Sequence, residues 1–143
     1  KTQEVIDVAK WMHTGDIAEM DEEGFVKIKG RIKDMVIRGG ENLFPKEIEA
    51  FLYTHPDVSD VQVIGLPDAR YGEELCACII LHEHHQINEE AIRKYCAEHI
   101  SHNKVPRYVR FFTEFPMTAS GKAQKFKLLE LMRQELILLE DIA

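Results

Sequence analysis

The sequence has no long hydrophobic run, and its longest apolar segment, residues 75–81, has only the length of a strand. A membrane-spanning helix needs about 20 apolar residues, so none is predicted, and residues 1–4 do not have the character of a signal peptide. Basic residues are outnumbered, because 18 lysines and arginines stand against 25 acidic residues for a formal charge of −7. A general nucleic-acid binder needs a basic face that neutralises phosphate, so that class is not expected.

Cysteine is scarce, and no C-x-x-C pair is present. Cys76 and Cys78 alternate on one face of a predicted strand, and Cys96 lies on the apolar face of a predicted helix. These thiols are interpreted as buried, reduced, small hydrophobic side chains in an intracellular compartment. Residues 82–85 (HEHH) have the side chains of a metal site, but no second ligand cluster stands at zinc-site spacing. A solvated loop and no metal site are therefore predicted.

Hydrophobic periodicity predicts an α+β fold, in which a small sheet packs against helices. The predicted strands are 34–38, 58–65, 75–81 and 109–112, and the predicted helices are 45–54, 88–100 and 125–139. The strand at 75–81 is apolar on both faces and should be central. Residues 11–20 and 25–29 form a β-ribbon ahead of this sheet, and two lone strands are marginal in water. Residues 1–32 are therefore predicted to end a larger N-terminal domain, and residues 33–143 to form a separate domain.

Three motifs follow one another along the chain. The first is 11–16 (WMHTGD), the second is 30–49 with the core IRGGEN at 37–42, and the third is 116–122 (PMTASGK). The third motif is not a P-loop, because the G-x-x-x-x-G-K spacing is absent. In this order the motifs resemble the C-terminal signature of the adenylate-forming enzymes, a superfamily of acyl-CoA synthetases, peptide-synthetase adenylation domains and beetle luciferases.

The resemblance implies two contacts to ATP. Asp16 matches the family's aspartate, which accepts hydrogen bonds from the ribose diol, although Thr-Gly-Asp alone favours a solvated turn carboxylate. Arg31 matches an arginine that contacts the nucleotide, and its planar fork of donors suits hydroxyl and phosphate oxygens. Lys33 matches the family's hinge residue, where the lid domain turns on the large domain.

The resemblance also implies a reaction in two steps. A carboxylate and ATP first give an acyl-adenylate and pyrophosphate, and the thiol of CoA then displaces AMP. Lys122 matches the lysine that enters the active site in the first step, where an ammonium neutralises charge developing between the carboxylate and the α-phosphate. A solvated surface lysine is the alternative.

For the second step, the loop Gly39-Gly40-Glu41 matches the wall of the tunnel for the pantetheine thiol, because glycine lets a substrate pass close to the backbone. The alternative is turn geometry alone. The candidate contacts to CoA phosphates are Lys104, Arg107 and Arg110. One departure from the family pattern is Lys125, which stands where the family often has arginine.

The implied protein is an AMP-forming acyl-CoA ligase, of which this chain is the C-terminal part. Its substrates would be ATP with Mg²⁺, CoA and a carboxylic acid, with a fatty acid favoured because 73–78 and 124–127 resemble medium-chain fatty acyl-CoA ligases. The metal would be bound mainly through the absent N-terminal domain, which is also the expected partner. The location would be the cytoplasm, or the mitochondrial matrix if the source is eukaryotic.

Two alternatives remain open at this point. One is an adenylation domain of the carrier-protein or luciferase branch, and the other is a non-catalytic α+β binding module. The chain by itself is expected to fold but to lack ligase activity, because neither the phosphate loop nor the acyl pocket of the family is present in it.

Overall fold

The computed structural model describes the backbone of residues 6–142 and the side chains of residues 6–139. The elements in order are β1 (Asp16–Met20), β2 (Val26–Arg31), β3 (Val36–Arg38), β4 (Glu41–Leu43), α1 (Pro45–Leu52), β5 (Val58–Asp68), β6 (Gly72–Leu81), α2 (Glu89–His99), β7 (Tyr108–Phe111) and α3 (Lys125–Ile142). Short 3₁₀ turns lie at Ile32–Asp34 and His102–Lys104. The α+β prediction is confirmed. Within the described residues, none of the helices combines the length and apolar character needed to span a bilayer.

The strands form two separate sheets. β1 and β2 pair as an antiparallel ribbon, while β4, β3, β6 and β5 lie in that order in a five-stranded sheet. β5 and β6 form a long antiparallel hairpin, and β7 runs parallel to β6 on its other side. The prediction that the strand at 75–81 is central is thus confirmed, because β6 has neighbours along both edges.

Two hydrophobic cores share β6 as a common wall. Ala77 and Ile79 face α1 and α2, while Cys76 and Cys78 face α3. The first core also contains Ile48, Leu52, Ile92 and Cys96, and the second contains Ile64, Leu66, Leu128 and Met132. This two-sided burial is the reason that β6 is apolar throughout and does not alternate.

The three cysteines are free and buried, as predicted. Burial raises the pKa of Cys96 to about 11. Contact with Cys78 and burial also raise the pKa of Cys76. Because the thiolate is the reactive form of cysteine, these side chains act as packing groups.

Three parts of the predicted pattern were wrong in detail. β4 was not predicted, and β5 and β6 extend beyond the predicted strands at 58–65 and 75–81, so that only residues 69–71 connect them. Pro67 fits in β5 because the ladder turns its missing N–H away from β6. Asp68 then closes the turn by accepting hydrogen bonds from the N–H groups of Arg70 and Tyr71, at 2.9 and 2.8 Å. The strand predicted at 11–20 begins only at Asp16, after Gly15 with φ of 77°.

The ribbon leaves its apolar side chains exposed. The exposed side chains are Trp11, Met20, Phe25, Val26 and Ile28. The ribbon contacts the rest of the domain at Gly30. A Cβ added to Gly30 would lie 3.5 Å from the ring of Phe44, the residue that precedes α1. The ribbon therefore contributes few buried apolar side chains to the hydrophobic cores.

Candidate functional site

Asp16 and Arg31 are brought together by the ribbon. They are direct cross-strand partners, and Arg31 Nε lies 3.4 Å from Asp16 Oδ1. The Thr14 hydroxyl accepts a hydrogen bond from the Asp16 N–H at 3.2 Å, which fixes the turn before β1. Both side chains open onto a cleft of about 340 Å³ between the ribbon and α1, which Lys125 also lines. A carboxylate and a guanidinium at one edge can contact neighbouring hydroxyl and phosphate oxygens.

A larger cleft of about 500 Å³ lies next to the first one. Arg31, Lys33 and Lys122 all line it, although they are far apart in sequence. Lys125 lines both clefts. The larger cleft is therefore bordered by four cationic side chains, with Asp34 and Glu73 as its acidic residues. Such a cleft favours an anionic ligand.

Lys122 is presented by a short and well-bonded turn. The Thr118 N–H donates to the Lys122 carbonyl at 2.8 Å, and the Lys122 N–H donates to the Thr118 hydroxyl at 3.1 Å. Gly121 adopts φ of 80°, a conformation that favours glycine. The Lys122 side chain is exposed and makes no ion pair with any other residue between 6 and 139. The turn thus fixes the backbone and leaves the ammonium available.

Gly39 and Gly40 form the two-residue turn between β3 and β4. Their φ values are 58° and 84°, and a tight hairpin of this kind requires positive φ at both positions. The Gly39 N–H donates to the Tyr71 carbonyl at 2.9 Å, which joins this turn to the β5–β6 turn. A Cβ on Gly40 would meet nothing within 4 Å. Turn geometry alone therefore requires both glycines, and the tunnel role stays a prediction.

The glycine turn and Lys122 lie in different places. Neither glycine is among the described residues that line the two clefts. Glu41, the third residue predicted at the tunnel, accepts a hydrogen bond from the Asn103 side chain and so holds β4 against the His102–Lys104 turn. The glycine turn is therefore held by hydrogen bonds and presents only backbone atoms at its tip.

The three candidate CoA contacts differ in their surroundings. Lys104 Nζ lies 2.7 Å from Glu47 Oε1. Arg110 lies between α2 and α3, with its guanidinium 2.9 Å from Glu89 and 2.6 Å from Glu135. Arg107 lies 3.1 Å from Asp68 and is about half exposed. Of these three, Arg107 lies at the β5–β6 turn that contacts Gly39, and Arg110 is committed to holding helices together.

Two residues beside the glycine turn were missed in the sequence. The guanidinium groups of Arg38 and Arg70 lie over the Tyr71 ring, at 4.6 and 5.1 Å from its centroid. Arg38 also donates to the buried Glu74 at 2.8 Å, and this hydrogen bond raises the pKa of Arg38. The signal available in the sequence was the neighbouring pair Arg70 and Tyr71, which stands between Pro67 and Gly72.

The geometry defines a class of protein: an α+β domain with one lysine-bearing turn and one glycine turn, attached to a ribbon with a carboxylate–arginine pair. Residues 47–122 match the family model of the AMP-binding enzyme C-terminal domain. The chain belongs to this family.

The comparisons with whole proteins agree with this family. The chain is 57% identical over 136 residues to the mitochondrial medium-chain acyl-CoA ligase ACSF2 of Bos taurus, which covers 95% of this chain and 22% of that protein. It therefore spans about a fifth of the length of this relative. A Mycobacterium tuberculosis fatty acyl CoA synthetase superposes with a TM-score of 0.73 at 40% identity, covering 94% of this chain and 26% of that one.

One structural neighbour has been solved in two states. ATP-bound MatB from Rhodopseudomonas palustris superposes with a TM-score of 0.85 at 34% identity, covering 92% of this chain and 26% of that one. Apo MatB from the same organism gives 0.74 at 35% identity, with the same coverage of both chains. The chain therefore superposes better on ATP-bound MatB than on apo MatB.

Proposed function

We propose that this chain is the C-terminal part of an AMP-forming acyl-CoA ligase, which activates a carboxylic acid as its adenylate and transfers the acyl group to CoA. The observation that carries the proposal is the meeting of Arg31, Lys33 and Lys122 on one cleft beside Asp16. Three separate motifs contribute these residues. A binding module that never reacts has no need to present a lysine on a bonded turn beside a nucleotide-type site.

In the first step, the ammonium of Lys122 stabilises charge that develops between the attacking carboxylate and the α-phosphate. Asp16 accepts hydrogen bonds from the ribose hydroxyls of ATP, and Arg31 contacts the nucleotide from the same edge. The closer likeness to ATP-bound MatB than to apo MatB supports this assignment. In this proposal, the present arrangement of ribbon and lid is the one that forms the adenylate.

In the second step, the turn at Gly39 and Gly40 forms one wall of the path for the CoA thiol. Glu41 holds that turn against the neighbouring loop. Arg107 and Arg70 are the cations beside this turn that suit the phosphates of CoA, and each lies over a tyrosine ring, Arg70 over Tyr71 and Arg107 over Tyr108. All three are paired with carboxylates, but Lys104 and Arg110 are weaker candidates because their side chains are only 30% and 21% exposed, against 53% for Arg107.

The two steps need different faces of the lid, so the lid must turn. Residues 1–32 are proposed to belong to the large domain and residues 33–143 to the lid. The exposed apolar side chains of the ribbon support this division, because they are suited to packing against a larger sheet. Lys33 is the proposed hinge, and it is exposed within the single 3₁₀ turn that joins β2 to β3.

The acyl substrate is proposed to be a fatty acid of medium chain length, following the names of ACSF2 and the mycobacterial synthetase. Among the described residues, no group of three His, Cys, Asp or Glu side chains could hold a metal ion. Mg²⁺ would be bound mainly by the large domain, together with the phosphates of ATP. If the source is eukaryotic, a mitochondrial location would follow from the likeness to mitochondrial ACSF2.

The test is ATP–pyrophosphate exchange by the full-length parent protein with short-, medium- and long-chain fatty acids and aromatic acids. We expect exchange with medium-chain acids, and thioester formation when CoA is added. The 143-residue chain alone serves as the control and should show neither reaction. Exchange without transfer to CoA would favour the carrier-protein or luciferase branch, while no exchange with any acid would favour a non-catalytic module.

A further inference from the structure

Lys125 is the first residue of α3, and its ammonium makes two close polar contacts. Its Nζ lies 2.5 Å from Glu49 Oε1 and 3.1 Å from the Val63 carbonyl oxygen. Glu49 Oε1 also accepts a hydrogen bond from the Val63 N–H at 2.9 Å. Lys125 and Glu49 therefore close a three-way contact between α3, α1 and the outer edge of β5. We call this network the Lys125–Glu49 clamp.

The clamp uses backbone groups that the sheet leaves open. β5 pairs with β6 on one side only, and the N–H and C=O of Val63 point to the unpaired side. An edge strand with open backbone groups is a weak point of a sheet. The clamp satisfies both groups of Val63 with charged partners, and both side chains are mostly buried, with 25% of Lys125 and 14% of Glu49 exposed.

The clamp bears directly on the turn that carries Lys122. Residues 118–122 are joined by backbone hydrogen bonds, and α3 begins three residues after Lys122. The start of α3 is thus the nearest fixed point for Lys122, and the clamp ties it to β5. Glu49 also neutralises Lys125, which lines the same cleft as Lys122.

We propose that Lys125 and Glu49 are positioning residues for Lys122, and this inference rests on the function proposed above. The clamp sets where the Lys122 ammonium stands relative to the Asp16–Arg31 edge. Neither residue needs to touch the substrate. Loss of the clamp should slow adenylate formation, because only that step uses Lys122.

The test uses Lys125→Met and Glu49→Gln in the full-length parent. Lys125→Arg is the conservative variant, because a guanidinium can donate to the same carboxylate and carbonyl. Lys127→Met is the matched control, since Lys127 is an exposed lysine two residues further along α3. Adenylate formation and CoA attack on supplied acyl-AMP are measured separately, and hydrogen exchange is followed over residues 116–125.

We expect Lys125→Met to reduce the rate of adenylate formation by about tenfold to a hundredfold, because small displacements of a reacting group have effects of that size. CoA attack on supplied acyl-AMP should stay close to wild type. Glu49→Gln should reproduce this split more weakly, Lys125→Arg should restore the rate, and Lys127→Met should behave as wild type. Hydrogen exchange over 116–125 should increase in Lys125→Met and, more weakly, in Glu49→Gln, but not in Lys125→Arg or Lys127→Met.

Equal slowing of both steps, without restoration by arginine, would show a general structural role and overturn the inference. A Lys125→Met variant that matches Lys127→Met in rate and hydrogen exchange would also overturn it. These outcomes are distinct from failure of the proposed function, which would appear as a wild-type parent without pyrophosphate exchange.

Discussion

The Gly39–Gly40 turn and the turn at 118–122 are built in opposite ways. The Gly39–Gly40 turn has no side chain at its tip and is held from outside, by the bond from the Gly39 N–H to the Tyr71 carbonyl. The turn at 118–122 holds itself through Thr118 and presents one long cation. One turn offers a bare backbone surface, and the other presents an exposed lysine side chain.

Under the proposed function, this difference would let one small domain serve two chemical steps. A surface that guides a thiol must exclude side chains, whereas a group that stabilises charge must be a side chain held at a fixed point. The two requirements cannot be met by the same turn. Placing them on separate turns makes rotation of the lid the natural way to exchange them.

The largest effect is expected from Lys122→Ala in the full-length parent. Removing a stabiliser of developing charge typically costs on the order of 10²–10³ in rate, and the loss should fall on adenylate formation. CoA attack on supplied acyl-AMP should persist, because the glycine turn is intact. Single-turnover measurement of both steps tests this. Equal loss in both steps would remove the functional contrast between the turns.

Gly40→Leu should give the opposite pattern, with a smaller but clear effect. The side chain would obstruct the thiol path and slow CoA attack by about tenfold or more, the scale on which a misplaced reacting group acts. Adenylate formation should remain, since Lys122 is untouched.

Gly40→Ala separates obstruction from backbone strain. The φ of 84° disfavours any Cβ by roughly 1–2 kcal/mol, so both variants carry that strain, but alanine adds little bulk. If alanine slows CoA attack as much as leucine does, strain at the turn explains the effect and the tunnel role is wrong.

The smallest effect is expected from Lys33→Pro, which alters neither turn. Proline fixes φ near −65° and so limits the rotation by which the lid exchanges its turns. We expect a few-fold loss in thioester formation and a smaller loss in adenylate formation, because the present arrangement resembles the ATP-bound state of MatB. Lys33→Ala is the control for loss of charge. Rates that fall equally in both steps would contradict a hinge at this residue.

The fold could largely be predicted because its helices and its central strand carry strong periodic signals. β4 could not, because the three residues Glu41–Leu43 are too short for any period, and they pair only because of the preceding glycine turn. Arg110 was predicted as a contact to a CoA phosphate, and nothing in its sequence neighbourhood indicates that it pairs with Glu89 and Glu135.

The site could be predicted residue by residue only through the family resemblance. No pattern in the residues predicts that Arg31 and Lys122 share a cleft, because that depends on how the ribbon joins the second sheet. The Lys125–Glu49 clamp was missed for the same reason. It depends on the packing of α1 and α3 against one edge of β5, and such registers are not encoded locally.

The shared strand β6 restricts how this domain can change during evolution. Its odd-numbered and even-numbered positions belong to different cores, so inserting or deleting one residue would exchange every side chain beyond that point between the two cores. Packing therefore constrains the number of residues in β6 more strictly than the identity of its side chains. Changes in length can accumulate at the 69–71 and 82–88 connections, which leave the parity of the strand unchanged.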